Sequence, residues 1–225
     1  MGIARKLHNL THPVIGHILM LHSVTEQPVD SRLEITPARL KESIEHYRQC
    51  GWDAVNLDEA ARRITQHESR RFVCYTFDDG YLDTLTLAHP ILKETATPFC
   101  VYMTRDFYRG TSTPAWSPTT PLLDADQLRK LATDPLCTVG CHTCSHPHLS
   151  TITVKEQQNE LADCKADLEQ MLDTEIHHLA YPHGDYNTDT LHIVKELGFT
   201  TAVTTSGRPV RTDTHLLELD RITLS

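Results

Sequence analysis

The segment that most constrains the fold of this chain is a hydrophobic run, Phe72–Phe77, followed at once by Asp78, Asp79 and Gly80. The run is typical of a buried strand, and α/β folds bind their ligands at the C-terminal ends of strands. Adjacent strand residues point to opposite sides, but a turn at Gly80 would let both acids face one site. Two carboxylates held close together cannot both be ionised cheaply unless a cation is present. The segment therefore predicts one carboxylate on a metal ion and one that is free for proton transfer.

A histidine-rich segment, Val139–Ser150, supplies the other half of this predicted site. His142 and His146 are four residues apart, and His148 follows closely. Imidazoles at this spacing lie on one face of a helical turn or a curled loop, where they can share a metal ion. Two histidines and one carboxylate are a common ligand set for a catalytic divalent ion. Because the chain has 15 histidines, a histidine-rich surface loop is the alternative, which the preceding acidic pair disfavours.

Predicted strands and helices alternate along the 225 residues, which favours parallel βα units in a single α/β domain, residues 1–225, with 1–15 as an N-terminal extension. The predicted strands are Ile18–Leu21, Asp53–Val55, Phe72–Phe77, Phe99–Met103, Cys137–Gly140, His177–Ala180, Thr200–Thr204 and Glu218–Thr223. The predicted helices are Pro37–Gln49, Leu57–Thr65, Asp83–Glu94, Asp124–Thr133, Val154–Leu172 and Thr188–Leu197. Within Asp83–Glu94, His89 and Pro90 predict a break that starts the helix late or kinks it. Seven or eight strands are consistent with a deformed barrel, and the acidic and histidine motifs fall at strand C-terminal ends.

Three motifs, taken in order, resemble the polysaccharide deacetylase family, also called carbohydrate esterase family 4. They are Thr76–Gly80 (TFDDG), His142–His146 (HTCSH) and Ala180–Gly184 (AYPHG). The resemblance extends from about Gly16 to the end of the chain. It implies a distorted barrel of (β/α)7 type and metal-dependent removal of acetyl groups from N-acetylated sugars.

The resemblance also implies roles for the acids and histidines. By position, Asp78 is the general base, and Asp79, His142 and His146 are the ligands of a divalent metal ion. Zinc is the favoured ion, with cobalt, nickel and manganese as alternatives.

The general acid of the family does not occur in its usual place. The common order ends in an L-x-L-H segment whose histidine is the acid, but Leu216–Ser225 contains no histidine. Instead Leu19–His22 (LMLH) resembles the circularly permuted members, such as the bacterial poly-β-1,6-N-acetylglucosamine deacetylases, in which the acid comes from the first strand. A closed barrel tolerates this because its first and last strands are neighbours. His22 is therefore the predicted acid; the alternative is a histidine that caps a core strand.

The arginine that many family members use to hold the catalytic aspartate is replaced here by Ala180. Arg221, near the C-terminal strand, is predicted to supply that cation from a different strand. Arginine suits this role because its fork binds a carboxylate bidentately and stays charged. A surface arginine on a terminal strand is the alternative.

Aromatic residues are the predicted contacts for the sugar. The irregular stretch Arg105–Pro121 contains Tyr108 and Trp116, and loops of this length are often functional. The alternative is that these two side chains only pack the loop. Tyr181 and Pro182, beside the PHG turn, are also predicted to contact the substrate, and the Tyr181 backbone N–H is predicted to stabilise the oxyanion.

Composition limits the partners and the compartment. A formal net charge of −9 argues against a nucleic-acid partner, and no run approaches the ~20 apolar residues of a membrane span. Seven scattered cysteines favour a reducing compartment, and the spacing of Cys141 and Cys144 is not that of a zinc ribbon. The N-terminus lacks a clean hydrophobic stretch and a cleavage site. We therefore expect a cytoplasmic protein in which Ile3–Leu10 could contact the inner membrane surface.

Together these features predict a hydrolase that removes acetyl groups from an N-acetylated sugar or oligosaccharide. The favoured substrate is a glycan or a lipid-linked precursor in surface polysaccharide synthesis. Two alternatives stay open: a deacylase of another small amide, and a glycan-binding protein without activity. A free base such as Asp78 would have no use in a pure binding protein. A structural zinc protein is disfavoured by the ligand spacing.

Overall fold

A curled parallel sheet determines where every candidate side chain lies; the computed structural model describes residues 12–27, 33–117 and 119–225. The strands are β1 (Val14–Leu21), β2 (Ser23–Val24), β3 (Glu34–Ile35), β4 (Asp53–Ala54), β5 (Phe72–Phe77), β6 (Phe99–Met103), β7 (Cys137–Cys141), β8 (His178–Ala180), β9 (Thr201–Val203), β10 (Val210–Arg211) and β11 (Ile222–Thr223). The main sheet has the order β10-β1-β5-β6-β7-β8-β9, with β4 beside β5 and β11 beside β1. Only β10 runs antiparallel to its neighbour there, and β2 pairs with β3 separately.

The two edges of this sheet are bridged by the C-terminal segment of the chain. Leu219 pairs with Val203 of β9, and three residues later Ile222 pairs with Leu19 of β1. The Leu219 N–H donates to the Ala202 carbonyl at 2.9 Å. The first and last strands are therefore neighbours, which gives the sheet its barrel-like form and confirms the predicted fold class.

Helices connect the strands and cover the outer face of the sheet. Within the described part of the chain they are α1 (Pro37–Gln49), α2 (Leu57–Thr65), α3 (His89–Glu94), α4 (Arg105–Tyr108), α5 (Ala125–Ala132), α6 (Val154–Leu172) and α7 (Thr188–Glu196). Short polar side chains cap five of them by accepting a backbone N–H; the caps are Thr36, Asn56, Asp124, Thr153 and Asn187. No helix in the described ranges is long and apolar enough to cross a bilayer. The predicted membrane-contact segment Ile3–Leu10 lies outside the described residues.

Most predicted elements lie within a few residues of the observed ones, and three regions differ. The predicted helix Asp83–Glu94 is divided at the expected His89–Pro90 break into a π-helical turn, Thr84–Ala88, and α3, because Pro90 cannot donate the N–H of a continuous α-helix. The stretch predicted as irregular from Arg105 begins with the short helix α4. The predicted last strand is interrupted: Leu216–Glu218 forms a 3₁₀ turn, and only β11 beyond it is a strand.

Side chains of β5 alternate between two apolar clusters. Phe72 and Cys74 belong to a cluster built mainly from strand residues, while the intervening residues of β5 pack with the helices in the other. The side of β5 that carries Phe72 and Cys74 continues with Thr76 and Asp78. Asp78 therefore emerges from the interior of the curl at its C-terminal end, where the sequence places the reactive residues.

Candidate metal centre and active site

The turn after β5 brings both acids to one side by an unusual backbone conformation. Asp78 continues the strand, and its N–H donates to the Leu21 carbonyl at 2.9 Å. Asp79 has φ +70° and Gly80 has φ +75°, so the reversal begins at Asp79, one residue before the predicted turn at Gly80. A Cβ at Gly80 would lie 2.5 Å from Met103 Cε at the end of a flexible side chain, so the positive φ is the stronger reason for glycine there. A left-handed aspartate is uncommon, and such conformations cluster at functional sites.

The three predicted metal ligands lie together. The Nε2 atoms of His142 and His146 are 3.6 and 3.5 Å from Asp79 Oδ1. Both histidines lie after β7 in a curled loop, in which Thr143 and His146 also have positive φ. His142 Nδ1 donates to the Ala180 carbonyl at 2.8 Å, which orients the ring and leaves Nε2 as the free donor atom.

The chemistry of this donor set fits a divalent cation. Asp79 Oδ1, the carboxylate oxygen that both histidines approach, is buried and has no hydrogen-bond partner among the described residues. Burial, and then the charge of Asp78, raises the pKa of Asp79, so its ionised form requires a cation. Burial lowers the pKa of His142 to about 4 and that of His146 to about 2, so both imidazoles are neutral. Ligands placed tetrahedrally about 2.1 Å from zinc are about 3.4 Å apart, which is close to the observed spacing.

Asp78 is held by Arg221 through a bidentate ion pair. Two guanidinium nitrogens lie 2.7 Å from the two carboxylate oxygens. Arg221 is 0% exposed, and its other N–H groups donate to Thr76 Oγ1 and the Thr204 carbonyl. Burial, the largest single effect, would raise the pKa of Asp78. The charge and hydrogen bonds of Arg221, together with His142 and His22, outweigh burial and hold that pKa well below its ordinary value. The carboxylate therefore stays ionised while its neighbour Asp79 faces the histidines.

His22 follows β1 and faces the same carboxylate. Its Nε2 lies 4.0 Å from Asp78 Oδ2, and its Nδ1 is a buried atom without a partner in the described structure. Burial lowers the pKa of His22, and of its charged neighbours Asp78 raises it and Arg221 lowers it. The ring thus lies inside the candidate site, on the side of the predicted base.

One cavity of about 350 Å³ joins these groups. Its lining consists of Met20, His22, Leu33, Asp78, Asp79, Trp116, His142, His146, His183 and Thr205. Trp116 is 43% exposed, and its ring centre lies 4.7 Å from that of His146. Trp116 is therefore the one predicted aromatic contact that lies in the cavity wall.

Three predicted substrate contacts are corrected by the structure. Tyr108 is buried and donates its hydroxyl proton to Asp167, because α4 turns it toward α6 and away from the cavity. Tyr181 is 0% exposed, and its hydroxyl donates to the Leu217 carbonyl at 2.9 Å. Its backbone N–H donates to the Val203 carbonyl at 3.1 Å, so it is not available to an oxyanion. Pro182 is buried and does not line the cavity.

His183, which belongs to the AYPHG motif at the C-terminal end of a strand, also lines the cavity. Its φ is +60°, and its ring centre lies 4.5 Å from that of His146. It also stacks on His148 at 3.9 Å with an interplanar angle of 15°. Of the first three residues after Ala180 in this motif, His183 is therefore the one whose side chain reaches the cavity, since Tyr181 and Pro182 are buried elsewhere.

Comparison with known proteins gives a consistent result. Residues 65–202 match the family model described as polysaccharide deacetylase. The Bacillus subtilis protein YxkH, whose curated name assigns it provisionally to the polysaccharide deacetylases, is 27% identical over 210 residues, which cover 92% of this chain and 71% of that protein. The Streptococcus pyogenes deacetylase PplD, solved in complex with acetate, is 25% identical with a TM-score of 0.83 and covers 94% of this chain and 92% of that one. IcaB from Ammonifex degensii shares the fold, with a TM-score of 0.75 and 23% identity over 94% of each chain.

Proposed function

Because the chain belongs to the polysaccharide deacetylase family, we propose that it is a metal-dependent hydrolase that removes acetyl groups from N-acetylated sugar residues of a glycan. One observation carries this proposal. A single cavity joins an Asp-His-His donor set, a carboxylate that Arg221 keeps ionised, and the His22 imidazole. Hydrolysis of an acetamide needs those three elements: an electrophilic catalyst, a base and an acid.

Asp79, His142 and His146 would hold the metal ion, and we propose zinc. A divalent ion at this position supplies Lewis-acid polarisation of the acetyl carbonyl and makes the attacking water more acidic. The protein contributes the rigidity of the ligand set, since the Ala180 carbonyl fixes the His142 ring.

Asp78 and His22 act as base and acid in this proposal. Each Asp78 oxygen accepts one bond from Arg221 and keeps a further lone pair, with which the carboxylate can take a proton from the attacking water. His22, which approaches Asp78 to 4.0 Å, would donate a proton to the leaving nitrogen. Each such group typically contributes ~10²–10⁴ in rate.

The cavity wall supports a sugar substrate. Trp116 offers a half-exposed indole face beside the donor set, and Met20 and Leu33 give the cavity further apolar surface. We propose a glycan or a lipid-linked precursor of a surface polysaccharide as the substrate, processed in the cytoplasm. The seven cysteines are free thiols, which a reducing compartment preserves.

Acetate release tests this function directly. The protein is stripped with a chelator, reloaded with zinc, cobalt, nickel or manganese, and offered N-acetylglucosamine and its β-1,6- and β-1,4-linked oligomers. We expect acetate only from metal-loaded protein. Asp78→Asn and His146→Ala should abolish most release, while His192→Ala, an exposed histidine on α7, should not. Binding of the oligomers without acetate release would favour a glycan-binding protein, and release from non-sugar amides alone would favour another deacylase.

A further inference from the structure

Trp116 is partly exposed at the cavity, yet its orientation is fixed. Its Nε1–H donates to the Tyr81 hydroxyl oxygen at 3.1 Å. The indole also contacts the ring of Phe107, with centres 6.3 Å apart, and that of His146. A half-exposed side chain without such a bond would populate several rotamers. Among the described residues, the bond to Tyr81 is the one polar contact of the indole, and together with these ring contacts it favours one orientation of the indole face.

Tyr81 comes directly after the turn that carries the two acids. It is 2% exposed and lies two residues beyond Asp79. Its backbone forms an antiparallel bridge with Leu122, and the Leu123 N–H donates to the Gly80 carbonyl at 2.8 Å. The segment after α4 that carries Trp116 is therefore attached at its C-terminal end, Leu122 and Leu123, to the turn that carries the two acids.

The N-terminal end of the same segment is attached, through α4, to the loop that contains His142 and His146. The Arg105 N–H donates to the Thr143 carbonyl at 3.1 Å, and the Asp106 N–H donates to the Cys144 carbonyl at 2.9 Å. The loop that carries Trp116 thus spans both halves of the donor set. Its indole is positioned relative to the atoms that would react with an acetamide.

We propose that Tyr81 is a positioning residue that sets substrate affinity through Trp116: its hydroxyl holds the indole face toward the cavity, where that face receives a pyranose ring. The inference rests on the proposed function, because it assigns the sugar contact of the same site. A buried phenol hydroxyl is costly unless it forms a hydrogen bond. Phenylalanine would fill the same space without that cost. The hydroxyl instead bonds Trp116 and the next residue, Ser117, both on the segment that carries the indole.

Steady-state kinetics with a β-1,6-linked N-acetylglucosamine trimer test the proposal. Tyr81→Phe should raise KM by about 2–10-fold, the effect of one net hydrogen bond, with kcat and metal content unchanged. In a Trp116→Phe background the same substitution should add nothing. Effects that add in the double variant, an unchanged KM, or loss of bound metal would each overturn the proposal. Tyr75→Phe, which removes a buried hydroxyl bonded to Ser43 at 3.2 Å, is the matched control and should keep the parent KM.

Fluorescence gives a readout that does not need turnover. The chain has two tryptophans, so Trp52→Phe leaves Trp116 as the only tryptophan, which is excited selectively at a wavelength that tyrosine does not absorb. Adding Tyr81→Phe should lower the anisotropy of Trp116 and shift its emission to the red; unchanged anisotropy and emission would contradict the role of Tyr81. Absence of acetate release from the unsubstituted protein would refute the deacetylase function instead. The anisotropy comparison tests Tyr81 in either case.

Discussion

Replacing Arg221 by methionine tests the ion pair on which the proposed base depends. The guanidinium is 0% exposed and makes two bonds of 2.7 Å to Asp78. Removing it leaves a buried carboxylate without a counter-charge, and removal of one partner of a buried pair typically costs about 3–5 kcal/mol. We expect the free energy of unfolding of the metal-saturated protein to fall by this amount near neutral pH, measured by urea denaturation.

The pH dependence of this loss has a defined sign. In the parent the pKa of Asp78 is depressed, so the pair stabilises the protein above the unfolded pKa, and this stability is lost as pH falls through the folded pKa. In the variant, burial alone would raise that pKa above its unfolded value. The free energy of unfolding of the variant then falls as pH rises through the folded pKa of Asp78, because the carboxylate must ionise without a counter-charge. The difference between parent and variant should therefore be larger at about pH 8 than at about pH 5.5.

Activity separates the catalytic consequence from the loss of stability. Without the Arg221 guanidinium, the Asp78 carboxylate is no longer held in one orientation, so we expect the rate of acetate release to fall by ~10²-fold or more. Arg63→Met is the matched control: Arg63 is 4% exposed and bonds Glu59 and Asp53 at 2.8 Å, away from the cavity. It should lose stability and keep activity below its unfolding transition. Full activity in the Arg221 variant, or a stability loss that does not change with pH, would refute the reasoning.

Three further predictions concern the remaining groups of the site. His142→Ala should remove most of the bound metal, measured by elemental analysis, while circular dichroism stays native; full metal content would exclude the ligand role. Asp78→Asn should keep the metal and lower kcat by ~10²-fold or more, and loss of metal there would mean that Asp78 is a ligand. If His22 is the acid, kcat/KM should fall as pH rises and His22 loses its proton. The midpoint of this fall should lie below the ordinary histidine pKa of 6.5, because burial lowers the pKa of His22. His22→Gln should abolish this fall; a profile identical to that of the parent would assign the acid elsewhere.

The elements that sequence predicts well are those with local chemical signals. Thr36 and Pro37 give an N-cap and a first helical residue, and α1 begins there. The apolar run of β5 predicts both bounds of the strand because every residue in it is buried. The donor set was predictable for a similar reason, since acids after a strand and histidines four apart are local patterns.

The features that sequence did not predict depend on contacts between distant segments. The left-handed φ of Asp79 is maintained by its surroundings, and no local pattern requires it. The motif predicted that Tyr181 contacts the substrate. Its hydroxyl instead donates to the Leu217 carbonyl, 36 residues later in the chain, and the side chain is buried. Likewise Tyr108 turns toward Asp167, which lies 59 residues away in α6. Aromatic residues near a motif therefore need tertiary information before they can be assigned to a site.

The bridging of the sheet edges by the C-terminal segment means that the site is assembled from the two ends of the chain. His22 follows the first strand, and Arg221 immediately precedes the last, which pairs with that first strand across about two hundred residues of intervening sequence. Contacts of such long sequence separation are slow to form because loop closure must precede them. The donor set, which lies between residues 79 and 146, can form before this closure. The protein should thus become able to bind metal earlier in folding than it becomes able to catalyse. The ion pair between Arg221 and Asp78 should be among the last contacts to form.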